Sequence, residues 1–268
     1  ALLPLYFLLP DTYAAASAPV GALFAIMTKV GVYAVLRVTT LVFGAEVAAP
    51  FLSLLALATL ALAAVGALAA TRLRGLVAYL VVASAGTLLL AAGLGSEGTL
   101  AAGLFYLINS TLVAAAWFLL ADRIAAARGG SDLLQPRPLG GGWALPGAAF
   151  FVAAVAVAGV PPLAGFMGKA LLLQAAGPLP MGPWVVAGVL ASSLAVMVAL
   201  ARAGSVIFWK SAQVGAAAPD ASPAHATALA GVLAAVLALA AAAGPISAYT
   251  GAAAGQLLQR QGYIDAVM

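Results

Sequence analysis

The chain has no cysteine and a single histidine, His225, so a disulfide framework, a thiolate metal site and a histidine-rich metal site are all excluded. Charge is scarce as well: Asp, Glu, Lys and Arg make up 7% of the 268 residues against 65% hydrophobic residues, and the mean hydropathy is +1.16. That balance excludes a water-soluble globule of this length. Ten-residue segments of alternating hydrophobicity are missing too, which argues against an outer-membrane barrel. The few basic residues are scattered rather than gathered into a stripe, so the pI near 9.6 does not point to nucleic acid.

What the sequence does hold is a series of apolar runs, each long enough to cross the hydrocarbon core as a helix. Complete spans are expected at about 19–43, 50–70, 75–94, 98–121, 143–175, 181–209 and 223–245. The fold class is therefore all-α, a polytopic transmembrane helical bundle over 19–245, followed by a short C-terminal tail over 246–268. Pro19, Pro50 and Pro183 fall near the starts of their spans, where a missing N–H costs little. The opening "ALLPLYFLLPDTY" is apolar up to Pro10 yet too short to span, so 1–18 reads as the end of a broken helix begun upstream plus a connecting loop. A fragment, or one piece of a split protein, is expected.

Lys and Arg set the orientation. With the first full span running outward, the inner loops carry Arg72, Arg74, Arg123, Arg128, Arg137 and Lys210, whereas the outer segments carry Arg260. Glu46 and Glu97 then sit at outer loops as solvated charges, and the tail lies outside.

Two lysines fall inside spans. Lys29 lies ten residues after Pro19, about 15 Å along a helix, which puts it near the midplane and out of reach of either surface. An ammonium there costs on the order of 2.5–3.5 kcal/mol on the lenient insertion scale, so it must face a hydrated or partnered interior. The plainer reading is a Lys that tethers two helices through a carboxylate or backbone carbonyls. Arg37, two turns on, can snorkel to the outer interface as an anchor.

Lys169 sits in "GVPPLAGFMGKALLLQ", where Pro161 and Pro162 remove two donors and Gly159, Gly165 and Gly168 loosen the backbone. A break at membrane depth is tolerated only where protein or water satisfies the freed carbonyls, and broken helices at the midplane are how secondary transporters build ion sites. Lys suits such a place because its ammonium can release a proton when desolvated, whereas Arg stays charged. Other spans supply mid-depth polar groups: Ser84 and Thr87, then Asn109, Ser110 and Thr111, then Ser192 and Ser193. Hydroxyls often bond a carbonyl one turn back, but the Asn109 carboxamide cannot be satisfied by its own helix and should meet a neighbour or water. Lys29, Asn109 and Lys169 at one depth would form a hydrated line along the membrane plane.

The stretches "FLLPDTYAAASAPVGALFAIMTKVGVYAVLR" and "GVPPLAGFMGKALLL" resemble two signature regions of the antiporter-like subunits shared by respiratory complex I and the Mrp-type multisubunit cation/proton antiporters. "FYLINSTLVAAAWFLLADRI" and "GQLLQRQGYIDAVM" are most similar to the D-type subunits of the Mrp-type antiporters. The resemblance implies the second half of a fold of inverted repeats with broken helices, set in a bacterial inner membrane beside other membrane subunits. It implies transport of H+ and of Na+ or K+, and no cofactor. By the same resemblance Lys29 is the central lysine and Lys169 the lysine of the second broken helix, on the exit side of the proton path. Asn109 stands where members of the family often have a histidine, which leaves a water-positioning role there. Ser110, Thr111, Pro161, Pro162 and Gly165 are expected as supporting polar and hinge positions. An antiporter-like subunit of complex I or of a membrane hydrogenase is the alternative, and a non-conducting packing subunit the second.

Overall fold

The computed structural model describes residues 2–3, 5–43, 45–141, 143–211, 213–217 and 223–259. A short turn at Leu5–Phe7 leads into α1 (Leu8–Ala15), followed by α2 (Ala18–Val38), α3 (Ala45–Ala69), α4 (Leu73–Leu94) and α5 (Glu97–Ala127). The second part holds α6 (Ala144–Ala158), α7 (Ala164–Ala176), α8 (Gly182–Gly204), α9 (Pro223–Ala241) and α10 (Ala243–Leu258). Two π-turns extend α2 and α8, at Thr39–Phe43 and Ser205–Trp209. Two short strands, β1 (Leu139–Gly141) and β2 (Gln213–Ala217), pair in parallel in the connections. The molecule is otherwise the helical bundle that its hydropathy implies.

The interior is formed by α4 and α5. Their most apolar windows are 78% and 67% buried, against 28–39% for α2, α3 and α8, which therefore present most of their apolar surface outward as lipid-facing helices do. The long α5 packs against α2, α4, α6, α7, α9 and α10. Trp117 of α5 is buried, donates its indole N–H to the Ala153 carbonyl at 3.3 Å and stacks edge-on against Phe150, locking α6 to the central helix.

Each outer helix turns one stripe inward. In α2 the buried residues are Ala18, Gly21, Ala25, Lys29, Val32 and Leu36, spaced by three and four, so Lys29 belongs to the core-facing stripe. Gly21 allows close approach there, since a Cβ would come within 2.7 Å of the Phe118 ring. In α8 the stripe runs through Val185, Val189, Ser192, Val196 and Ala199, which brings Ser192 to the same interior.

Among the described residues, five helices are long and apolar enough to cross a membrane, and α9 with α10 forms a further pair bent by 80°. The remaining expected span, 143–175, is the broken one: α6 has 15 residues and α7 has 13, each too short to cross alone. Several boundaries differ from expectation. α5 continues past 121 to Ala127 because "DRIAAA" keeps forming helix, and it stops before Gly129 and Gly130, both at positive φ. α3 begins at Ala45, so Pro50 lies inside the helix rather than at its start. The described part of the expected tail is helical: α9 ends at Ala241, just ahead of Gly244 and Pro245, Pro245 is tolerated in the first turn of α10, and α10 folds back on α5. Pro4, Arg260 and the end of the tail, 260–268, lie outside the described residues, and so does the side chain of Glu46. Glu97 is exposed in the first turn of α5, the favourable end of the helix dipole.

The basic residues expected at the inner side converge. Arg72 pairs with Asp132 at 2.9 Å and Arg74 with Asp122 at 2.7 Å, and the hydrogen bond to Asp132 raises the proton affinity of the exposed Arg72 guanidinium. Arg128 donates to the carbonyls of Leu133 and Gln135, while the Arg137 backbone N–H donates to Ser211 Oγ.

Candidate functional site

The break between α6 and α7 has a local cause. α6 ends at Gly159, whose φ of +78° suits glycine, and both Gly159 N–H and Val160 N–H turn back to the Val155 carbonyl. Pro161 and Pro162 follow, joined by a cis peptide bond and exposed, and the chain re-enters as α7 at Ala164. The last carbonyls of α6 would be left without donors. Lys169, one turn into α7 and partly buried, supplies them: its Nζ donates to the Val157 carbonyl at 3.2 Å, the Ala158 carbonyl at 3.0 Å and Ser193 Oγ at 2.9 Å. The ammonium thus closes the negative end of the α6 dipole and reaches α8 at once. Gly159 is required twice, since a Cβ there would also come within 2.8 Å of Lys169 Cδ.

Gly165 sets how tightly α7 is folded back. A Cβ at this position would overlap the Ala156 carbonyl oxygen, a backbone atom that cannot swing aside. Gly165→Val is expected to force α6 and α7 apart, at a cost of at least about 1–3 kcal/mol. Purified yield and melting temperature in detergent should both fall. Gly31→Ala, at a position where an added Cβ meets nothing within 4 Å, should change neither.

Lys29 is 2% exposed, and its Nζ donates to Ser84 Oγ of α4 at 2.7 Å, while Ser84 donates on to the Val81 carbonyl. No carboxylate pairs with Lys29 or Lys169 among the described residues; the ion pairs there involve Arg72, Arg74 and His225. A buried and a partly buried amine held by hydroxyls and carbonyls differ from a structural ion pair, in which each charge is matched.

Between the lysines lie two small cavities, each about 10 Å³, the least that holds one water. The first is lined by Ser84, Tyr106, Asn109 and Ser110, the second by Thr87, Tyr106, Lys169, Ser192 and Ser193. Leu80, Tyr106 and Val157 line both, so the cavities are neighbours. Asn109 is 1% exposed, and its Oδ1 has no hydrogen-bond partner among the described residues. Its Nδ2 lies against Gly165, 3.2 Å from the position a Cβ would take. Ser110 and Thr111 both donate to the Leu107 carbonyl of their own helix; Ser110 also lines the first cavity, whereas Thr111 does not.

Polar side chains thus follow one another from Lys29 and Ser84 to Asn109 and Tyr106 around the first cavity, and from Tyr106 to Thr87, Lys169 and Ser193 around the second. Tyr106 is the residue that sequence patterns alone do not single out. It lies three positions before Asn109 on α5, hence on the same helical face, and that spacing is the signal that could have found it.

A sequence profile of the family described as NADH:quinone oxidoreductase/Mrp antiporter, transmembrane, matches residues 1–195. A D-type subunit of a probable K(+)/H(+) antiporter of Rhizobium meliloti (strain 1021) is 36% identical over 243 residues, which cover 78% of this chain and 45% of that protein. The D-type subunit of the Na(+)/H(+) antiporter of Bacillus subtilis (strain 168) is 33% identical over 212 residues, covering 78% and 43%. The chain thus spans less than half the length of these curated relatives. Among solved structures, a chain of an archaeal membrane-bound sulfane sulfur reductase superposes with a TM-score of 0.89 at 24% identity, over all of this chain and 55% of its own. A chain of the Mrp complex from Dietzia sp. DQ12-45-1b gives 0.85 at 24% identity, over 100% and 58%. A chain of respiratory complex I from Thermus thermophilus gives 0.78 at 26% identity, over 96% and 56%. With nearly three quarters of its length inside the family profile, the chain belongs to the NADH:quinone oxidoreductase/Mrp antiporter transmembrane family.

Proposed function

We propose that the chain is a proton-translocating part of a multisubunit Na+ or K+/H+ antiporter, in which protons move between Lys29 and Lys169 within the membrane. The supporting observation is the pair of lysines, Lys29 buried and Lys169 partly buried, neither facing a carboxylate among the described residues, with hydroxyls, Asn109 and two adjoining cavities near them. The relatives are named for K(+)/H(+) and Na(+)/H(+) antiport and as single subunits, which supplies the cation class and the partner membrane subunits of this reading. The setting is the bacterial inner membrane, with the Arg72, Arg74, Arg128 and Arg137 end on the cytoplasmic side and the C-terminus outside. Expression of the complex in everted vesicles tests the whole proposal: cation addition should collapse a preformed ΔpH, and vesicles without this chain should show no response.

Asn109 tests the middle of the path. As a water-orienting group it should be replaceable by His, so Asn109→His keeps or raises antiport. Asn109→Leu dries the first cavity and should cut antiport strongly. Full activity in the Leu variant would remove Asn109 from the path.

A second reading, an antiporter-like subunit powered by redox chemistry elsewhere in a respiratory complex, is favoured by the superposition on the sulfane sulfur reductase and complex I chains. Purification of the native complex separates the two. Co-purifying iron–sulfur or quinone-reducing subunits would select the second.

A further inference from the structure

Away from the lysine path, a groove of about 680 Å³ runs along α6 and α8. Its volume falls in the range of small-molecule sites, and its walls are mostly apolar and aromatic. One end is bounded by Trp143, Trp209 and Ser211, and Trp209 is 83% exposed. Phe151, Val155 and Leu200 form the apolar middle. The far end reaches Ala158 and Val160, at the break in the α6–α7 pair.

Two basic residues flank the Trp209 end. Lys210 lies between Trp209 and Ser211 in the chain and is exposed; Arg137, also exposed, is tied there by its backbone bond to Ser211 Oγ at 3.3 Å. No carboxylate pairs with either residue among the described residues. Exposed tryptophans beside Lys and Arg above an apolar slot match a lipid headgroup girdle over acyl chains. A neighbouring apolar helix would fill the slot but would leave the two cations without a counter-charge.

We propose that this groove is a binding site for an anionic phospholipid. Its phosphate sits at Lys210 and Arg137, and an acyl chain lies along Phe151, Val155 and Leu200 to the break at Val160. The Val157 and Ala158 carbonyls that hold Lys169 belong to the same terminal turn of α6, so the bound chain buttresses the segment that positions this lysine.

The test uses the protein with the subunits it purifies with, reconstituted in phosphatidylcholine vesicles carrying a small fraction of brominated lipid. One variant keeps Trp209 and another keeps Trp184, each with the buried Trp117 left in place and the remaining tryptophans changed to Phe; Trp184 is 71% exposed and outside the groove. Brominated phosphatidylglycerol should quench Trp209 more than the same fraction of brominated phosphatidylcholine, while the two should quench Trp184 equally. Lys210→Gln and Arg137→Gln, both surface changes, should each reduce the preference at Trp209 by about fivefold, the factor that corresponds to about 1 kcal/mol per basic residue at a membrane surface. Three results would overturn the proposal: equal quenching of Trp209 by both headgroups, a preference that survives the double substitution, or a Trp209 shielded from both lipids, which would mean that a neighbouring helix covers the groove.

Discussion

Lys169→Ala should reduce cation-dependent antiport to the background of vesicles lacking the complex, while the chain remains inserted and assembled. The lysine has two physical jobs in the structure, and the prediction has to separate them. Its ammonium satisfies the Val157 and Ala158 carbonyls at the end of α6, which is a cap, and it is the one titratable side chain lining the second cavity apart from the Tyr106 phenol. If capping were the whole role, Lys169→Gln would restore function, because a carboxamide N–H2 can donate to both carbonyls. A proton carrier cannot be replaced by a carboxamide, so Gln should fail as Ala does. Blotting and yield show whether the Ala variant is still present in the membrane. Antiport in a well-expressed Gln variant would reduce Lys169 to a helix cap.

The lysines and the break were legible in the sequence because each violates a local rule. An ammonium ten residues into an apolar span and a Pro-Pro pair within another are costly unless something compensates, and the compensation appears as Ser84, Ser193 and the α6 carbonyls. Which hydroxyl serves which lysine was not legible, since Thr87 lies one turn from Ser84 and Ser192 next to Ser193, and the choice depends on how α4 and α8 are rotated. Tyr106 escaped because an aromatic residue in a span reads as packing, and only the packing of α5 against its neighbours brings it to the wall of both cavities. α10 escaped for a different reason. The apolar run to about 245 reads as the end of a span, but the sequence does not say that the chain turns by 80° after Ala241 and resumes against α5, because that depends on a tertiary surface. The short β1–β2 pairing rests on strands of three and five residues, too short for a periodic signal.

Lys29 carries the central claim, because it is the more completely buried lysine and its hydrogen bond to a side chain is a single one, to Ser84. The neighbouring helix face offers it no carboxylate, so a purely electrostatic tether has nothing to hold among the described residues. A carrier must alternate between ammonium and amine, and what matters is then titratability rather than charge. Arg keeps the charge and nearly the length, but the guanidinium stays protonated even in a dry site. A counter-charge role predicts that Lys29→Arg is tolerated and Lys29→Ala is damaging; a carrier role predicts that both fail. The deciding measurement is cation-dependent ΔpH collapse in vesicles containing the assembled complex with Lys29→Arg, at subunit levels matched to the unsubstituted protein. Collapse at background level is the predicted result, and robust antiport in the Arg variant would contradict proton carriage by Lys29.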